Sequence, residues 1–327
     1  MSGPPLLEVK ELRLVFETER GVLSLFQGLS LSVMKGEVLG IVGESGSGKS
    51  TLAYAIIRLL PGNARVLGGI VLLEGRDVLR MKEGELRRIR GKEVTIVFQD
   101  PSTSLNPVFR VKDQLLSVVK ENLGLEGEAA RVRAVELLRQ VELPDPESIM
   151  NSFPFELSGG MQQRVMIAMA LAANPKLIVA DEPTSSVDAT IQTQILTLLK
   201  RLRTERGFSM MLITHSIAVA EEVSDRIAVM YAGEVVELGS SESVIREHMH
   251  PYTEALLKSI PRPRRRGEQK GQLPVVQGQV PELTSPPSGC RFHPRCPYAM
   301  DICSVERPPY FRRGDTLVMC WLYGEKR

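Results

Sequence analysis

Eight consecutive residues, Gly43-Glu44-Ser45-Gly46-Ser47-Gly48-Lys49-Ser50, have the types and spacing to hold phosphate. They fit the pattern G-x-x-x-x-G-K-[ST]. They also lie between an apolar run that reads as a strand (38–42) and a segment that reads as a helix (52–60). Glycines let the backbone approach an anion closely, and successive N–H groups at a helix N-terminus turn partial positive charge toward it. Lys49 is then placed to contact β- and γ-phosphates, and the Ser50 hydroxyl to ligate Mg²⁺, so a nucleotide is the expected ligand. A second feature is the acidic pair Asp181-Glu182, which closes the apolar run 177–180. Two carboxylates at a strand end are costly to bury without a metal or water to serve. Asp181 suits the Mg²⁺ shell, and Glu182 suits orienting and deprotonating an attacking water. A solvent-facing strand end would be the plainer reading, but the phosphate loop upstream outweighs it. Gln99 and His215 each follow a short apolar run, which places them at carboxyl ends of strands, where α/β sheets bind ligands.

The elements that must position these residues follow from periodicity. Residues 7–35 alternate apolar and polar in short runs, as half-buried antiparallel strands do. The run 38–42 is continuously apolar and predicts a strand covered on both faces, and the helix after the loop is expected to stop at Pro61-Gly62. Further short strands are expected at 94–98, 177–180 and 210–214, with helices between them. One helix carries Ile191, Ile195, Leu198 and Leu202 on a single face. The alternation predicts an α/β sheet. From about 100 to 173 strand signals lapse. Ala134, Leu137, Leu138 and Val141 mark one helix and 158–173 another, which predicts a helical subdomain inserted in the sheet. After about His250 the composition shifts, and Pro261-Arg262-Pro263-Arg264-Arg265-Arg266 reads as a solvated linker in preference to a lipid-phosphate contact.

At 327 residues the chain has room for one large domain with an appendage, or for two domains. Its 41 basic and 39 acidic residues nearly cancel, which argues neither for nor against a nucleic-acid partner. The start of the chain lacks the basic and apolar regions of a signal peptide. No uncharged apolar run reaches the roughly 18 residues of a membrane-spanning helix, so a soluble chain is expected, with other subunits crossing any membrane it serves. The four cysteines, Cys290, Cys296, Cys303 and Cys320, all lie near the C-terminal end. Four thiolates could enclose zinc or an iron–sulfur cluster. The spacing is looser than structural zinc usually uses, and thiols left free or joined as disulfides complete the range of readings. His293 falls inside the first loop, where packing is its simpler role and zinc ligation the other.

The run Leu157-Ser158-Gly159-Gly160-Met161-Gln162-Gln163-Arg164 decides among the nucleotide-binding classes. Ser158 is a sound N-cap and the glycines leave first-turn N–H groups open, so the segment is a second anion site in a chain that already has one. The order of phosphate loop, Phe98-Gln99-Asp100-Pro101, this run, Asp181-Glu182 and His215 resembles the nucleotide-binding subunit of ATP-binding-cassette (ABC) proteins. The resemblance implies a P-loop NTPase fold of ABC type, with an antiparallel β subdomain and an inserted helical subdomain. It also implies ATP and Mg²⁺ as ligands and hydrolysis as the activity. Gly43, Ser45, Gly46, Ser47, Gly48, Lys49, Ser50 and Thr51 would line the phosphates. Gln99 would join Ser50 and Asp181 at Mg²⁺, His215 would contact the γ-phosphate, and Phe16 would stack on adenine. Ser158, Gly159, Gly160 and Gln163 would complete the phosphate site of a second subunit arranged head to tail, with Asp188 crossing that interface.

Within the family, the sequence of the phosphate loop, Ser104-Leu105-Asn106-Pro107, Asp225-Arg226-Ile227-Ala228-Val229-Met230-Tyr231 and His250-Pro251-Tyr252-Thr253 resemble ATPases of oligopeptide/dipeptide (peptide/nickel) importers. This implies an ABC ATP-binding domain over 1–255 and a C-terminal extension over 256–327 that is small and Cys-rich. The implied partners are a homologous ATPase in a head-to-tail heterodimer, two transmembrane permeases contacted through the helical subdomain and the Gln99 loop, and an extracytoplasmic solute-binding protein. The implied location is the cytoplasmic side of the cell membrane, as a peripheral subunit. Some members of the group carry a [4Fe-4S] cluster in the extension, which makes the cluster the expected occupant of the four cysteines and zinc the alternative. Peptide is the expected cargo, with oligosaccharides or nickel as alternatives. Two departures bear on rate: Ser186-Val187 stands in the middle of the usual Ser-Ala-Leu-Asp segment, and Ser216 stands where an Asp usually follows the histidine. A non-transport ABC ATPase working on DNA or ribosomes is the different-class alternative. Only about a hundred residues separate the phosphate loop from Ser158, with no long coiled coil, and there is one cassette.

Overall fold

The computed structural model describes residues 3–185, 187–260 and 278–324. The expected linker at 261–266 and Ser186 lie outside the described residues. In chain order, β1 (Leu7–Thr18) and β2 (Gly21–Val33) precede β3 (Val38–Val42) and α1 (Lys49–Ile56). Then come β4 (Ala64–Leu73), β5 (Arg76–Asp77), α2 (Glu83–Ile89) and β6 (Val94–Val97). Helices alone follow: α3 (Pro101–Ser104), α4 (Val111–Leu123), α5 (Gly127–Gln140), α6 (Pro146–Asn151) and α7 (Gly159–Ala170). Strands and helices alternate again in β7 (Leu177–Asp181), α8 (Ala189–Arg206), β8 (Ser209–Thr214) and α9 (Ile217–Val223). β9 (Arg226–Tyr231), β10 (Glu234–Ser240), α10 (Ser241–Arg246) and α11 (Pro251–Lys258) come next, and α12 (Asp301–Val305), β11 (Phe311–Arg313) and β12 (Thr316–Val318) form the tail.

The chain divides into two units. One comprises Met1–Leu6, Val33–Glu37 and Arg80–Ile213. In it β6, β7 and β8 run parallel, in register from Val94 opposite Leu177 and from Leu177 opposite Ser209. β7 is buried at every position, which is why its sequence is a continuous apolar run without alternation. The helices α3 to α7 occupy the stretch where strand signals lapse. Leu115 and Val119 of α4 and Ala134, Leu137 and Leu138 of α5 are fully buried, on faces spaced three and four residues apart. α8 begins at Asp188, whose carboxylate accepts N–H bonds from Thr190 (2.9 Å) and Ile191 (3.0 Å), and it ends at Gly207 with φ 72°. Its buried face is Ile195, Leu196, Leu198, Leu199 and Leu202, with Ile191 only half-buried at its start.

The other unit comprises Leu7–Ser32, Val38–Leu79 and Thr214–Arg327. One of its sheets has the order β2-β1-β4-β5, with Leu7 opposite Leu73 and Phe16 opposite Ala64. β4 was not foreseen from the sequence, because its exposed half, around Arg65 to Gly69, lacks the alternation of a half-buried strand. In the other sheet β3 lies parallel to β9, β9 antiparallel to β10, and β10 antiparallel to β12. β11 then pairs with β12, so the tail adds its two short strands to the edge of β10. α1 stops at Ile56, earlier than Pro61-Gly62 predicts, because Arg58 takes φ 50° and Leu59 N–H turns back to the Tyr54 carbonyl at 2.8 Å.

Candidate nucleotide site

The phosphate loop is hung on β3, whose five residues are all buried. It leaves the strand at Gly43, where an added Cβ would sit 2.1 Å from the carbonyl oxygen of Met230. It enters α1 through Gly48, which has φ 99° and whose added Cβ would meet the Phe26 ring at 2.8 Å. Side chains are therefore excluded at both ends of the turn, on steric grounds at the first and by both sterics and dihedral at the second. Lys49 is buried and donates from Nζ to the carbonyls of Gly43 (2.8 Å) and Glu44 (3.0 Å). Ser45 and Gly46 are exposed, and Ser50 and Thr51 are half-buried. Ser47 is buried, its Oγ has no hydrogen-bond partner among the described residues, and its carbonyl accepts from Gly233 N–H at 2.9 Å. Phe16 is half-buried on β1. His215 is exposed just after β8, and Ser216 caps α9, its Oγ accepting from Val219 N–H at 3.4 Å. An Asp would cap in the same way, so the departure at Ser216 keeps the local helix start.

The other unit carries the acidic pair and its neighbours. Asp181 is buried at the end of β7. Glu182 takes φ 45°, a left-handed conformation uncommon for a side chain of this size, and its N–H donates to the Ile213 carbonyl of β8 at 2.9 Å. This turn lifts the carboxylate out of the strand, where Gln99 meets it: Nε2 donates to Glu182 Oε2 at 3.2 Å. Two residues far apart in sequence are thus brought together at adjacent strand ends. Ser158 is exposed and caps α7, its Oγ accepting from Met161 N–H at 3.3 Å, and Gly159 beside it is exposed too. Gly160 packs on Ile191, leaving no room for a Cβ (2.7 Å). Gln163 differs from its neighbours: it is fully buried, and neither amide atom has a partner among the described residues.

The four cysteines are free thiols; three are buried and Cys296 is half-buried. Two of them are tied through the backbone, where Cys290 N–H donates to the Cys303 carbonyl at 2.8 Å. Burial pushes the thiol of Cys290 up to about 12 and that of Cys320 up to about 11, with smaller upward contributions from neighbouring cysteines in each case. His293 turns its Nδ1 to the Cys290 carbonyl at 2.9 Å. Among the described residues, however, no group of three or more His, Cys, Asp or Glu side chains is placed to hold a metal ion. The expected cluster, or zinc, at Cys290, Cys296, Cys303 and Cys320 therefore finds no ready ligand set among the described residues, and other contacts fasten the tail. Arg291 is buried and donates to the carbonyls of Leu25 (2.9 Å), Ser24 (3.1 Å) and Ala232. Arg307 Nε pairs with the buried Glu234 carboxylate at 2.7 Å, and Tyr310 donates to the Val235 carbonyl at 2.8 Å. Burial raises the Glu234 pKa, and Arg307 and Arg291 pull against it.

A family described as "ABC transporter" matches residues 26–185, and one described as "Oligopeptide/dipeptide transporter, C-terminal region" matches residues 236–303. The oligopeptide transport ATP-binding protein OppD of Bacillus subtilis is 47% identical over 97% of this chain and 88% of its own length. The chain belongs to the ABC transporter family, in its oligopeptide/dipeptide branch. The dipeptide transport ATP-binding protein DppD of Haemophilus influenzae is 44% identical over 96% of this ABC chain and 94% of its own. A solved dimeric ATP-binding cassette in a post-hydrolysis state with ADP and phosphate superposes with a TM-score of 0.64. It is 32% identical, and the match covers 72% of this chain and 98% of that one. No described helix of this ABC chain is long and apolar enough to cross a membrane.

Proposed function

We propose that this chain is the ATP-hydrolysing subunit of an importer of di- or oligopeptides. The observation that carries the reading is similarity to peptide-transport ATP-binding proteins along nearly the whole chain, tail included. The subunit pairs head to tail with a homologous ATPase, docks on two permeases through the helices α3 to α7, and takes cargo delivered by an extracytoplasmic binding protein. It works peripherally at the cytoplasmic side of the membrane, with an ATPase domain over 1–255 and an extension over 256–327.

The loop Gly43 to Ser50, with Thr51, would cradle the phosphates through N–H groups and Lys49, and Ser50, Asp181 and Gln99 would hold Mg²⁺. Glu182 accepts a proton from water, whose oxygen attacks the γ-phosphorus as ADP leaves. The contact between Gln99 and Glu182 supports this role, since an amide donor holds the carboxylate in one orientation. His215 steadies the γ-phosphate, Phe16 meets adenine, and Ser158, Gly159, Gly160 and Gln163 serve the partner's nucleotide, with Asp188 at the interface. A [4Fe-4S] cluster, with zinc as the alternative, is a reading of donor chemistry alone, since among the described residues no three of these side chains are placed to hold a metal ion. Such a group would supply a structural clip or an electron store, and no catalytic step runs through it.

The test is transport in cells whose only copy carries E182Q. Uptake of labelled di- and tripeptides should stop, while nickel and oligosaccharide uptake continue. Normal peptide uptake with loss of one of the others would replace the cargo.

A further inference from the structure

We propose that Arg295, far along the tail, is a positioning residue for nucleotide binding. It clamps the Glu44 carboxylate, fixing the first turn of the phosphate loop and neutralising an acid on the face that receives the nucleotide. The inference rests on the reading of 43–50 as the phosphate loop. Glu44 follows Gly43 directly, where the loop leaves β3. A free carboxylate at that place would repel a triphosphate, because charges near a protein surface are screened less than in bulk water. The chain supplies its counter-charge from another region: Arg295 donates from one terminal nitrogen to Oε2 at 2.7 Å and from the other to Oε1 at 3.0 Å. Two parallel bonds of this kind fix direction as well as charge. The pair is sheltered, with the Arg295 side chain 5% and the Glu44 side chain 27% exposed.

The remaining polar groups of Glu44 are held too. Its N–H donates to the Tyr252 hydroxyl at 2.8 Å, and its carbonyl accepts from Lys49 at 3.0 Å. The Arg295 guanidinium lies 5.6 Å from the centre of the Tyr231 ring and reaches the Tyr231 hydroxyl at 3.3 Å. Tyr231 and Tyr252 touch at 4.7 Å between ring centres, and Phe292 packs on them at 5.1 and 5.5 Å. The base of the loop thus stands on an aromatic platform, and the tail segment between Cys290 and Cys296 supplies both its phenylalanine and its cation. Because the same residue that Arg295 clamps also orients Lys49 through its carbonyl, loosening the clamp should act on phosphate affinity before it acts on bond cleavage.

The experiment uses the purified full chain, titrated with a fluorescent ATP analogue and assayed for ATP hydrolysis. The variants are R295Q, R295K, E44Q, the double variant E44Q/R295Q, and K49A. R295Q should raise the Kd for the analogue and the KM for ATP roughly tenfold with a much smaller change in kcat. R295K should fall between R295Q and the wild type, because it keeps the charge and loses the fork. The double variant should recover to within about threefold of the wild type, since the acid left without a partner is what repels the phosphates. A double variant as weak as R295Q, or an R295Q chain with unchanged Kd, would overturn the proposal and leave Arg295 as a packing residue. Should R295Q fail to fold in a thermal melt, R295K against E44Q carries the same comparison. K49A reports on the underlying reading separately: unchanged affinity there would mean that 43–50 does not hold phosphate.

Discussion

The turn of the phosphate loop is closed by bonds between residues a few positions apart and braced at its base from the tail, whereas the tail is fastened by bonds that reach across the sequence. In the loop, Lys49 turns back on Gly43 and Glu44, Ser47 N–H meets the Glu44 carbonyl at 3.2 Å, and Leu52 N–H meets the Gly48 carbonyl at 2.9 Å. In the tail, Arg291 reaches Ser24 and Leu25, Arg307 reaches the Gln27 carbonyl at 2.8 Å, and β12 pairs with β10. Strands of three residues such as β11 and β12 have no independent stability and need an existing edge to pair with. The contrast teaches that the turn of the loop carries its conformation in dihedral preference and local N–H geometry, with Arg295 and Tyr252 bracing its base, while the tail borrows its conformation from a body already folded. It also means that docking the tail buries charge, Arg291 of the tail and Glu234 of β10, which is tolerable only while partners stay in place.

Lesions in the two regions should therefore differ in kind. The largest effect is expected on the chemical side: E182Q should lower kcat by roughly 10²- to 10⁴-fold, the range for loss of a general base. ATP binding and the melting temperature should barely move, and a large loss of stability in E182Q would break the distinction. On the tail side, R291A removes one cation from Glu234 and three carbonyl bonds. It should cost about 3 kcal/mol in urea unfolding, and a loss under about 1 kcal/mol would show the tail to be more independent than its contacts suggest.

The junction gives a pH readout. His250 is buried, its ring accepts from Tyr252 N–H at 3.0 Å, and burial pulls its pKa from 6.5 down to about 3. Between those values the unfolded chain binds a proton that the folded chain does not, so stability is intact above about 6.5 and falls as pH drops toward 3. From pH 7.5 to pH 5 this group should cost about 2 kcal/mol. H250N keeps a side-chain acceptor at the helix start but cannot titrate, so its urea midpoint should fall less over the same interval. Equal falls in both chains would assign the acid sensitivity to other groups. The smallest effect belongs to Y310F, which deletes one hydrogen bond to the Val235 carbonyl and should cost about 1 kcal/mol in the same measurement.

Much of the candidate site was legible in the order of the residues. The glycine spacing of 43–50, the apolar runs that became β3 and β7 and the cap at Ser158 all depend on residues within a turn of one another. Dihedral tolerance, capping and burial periodicity act over that distance, so sequence by itself determined these elements. Tertiary structure decided the rest. The meeting of Gln99 with Glu182, the complete burial of Gln163 beside an exposed Ser158, and the clamp of Arg295 on Glu44 join or separate residues by the path of the chain. The cysteines show the same limit from the other direction. Their spacing named a donor set, but among the described residues the fold does not place three of them to hold a metal ion. Short-range preferences are written in neighbouring residues, whereas a contact between distant ones exists only after the backbone has packed and excluded competing arrangements.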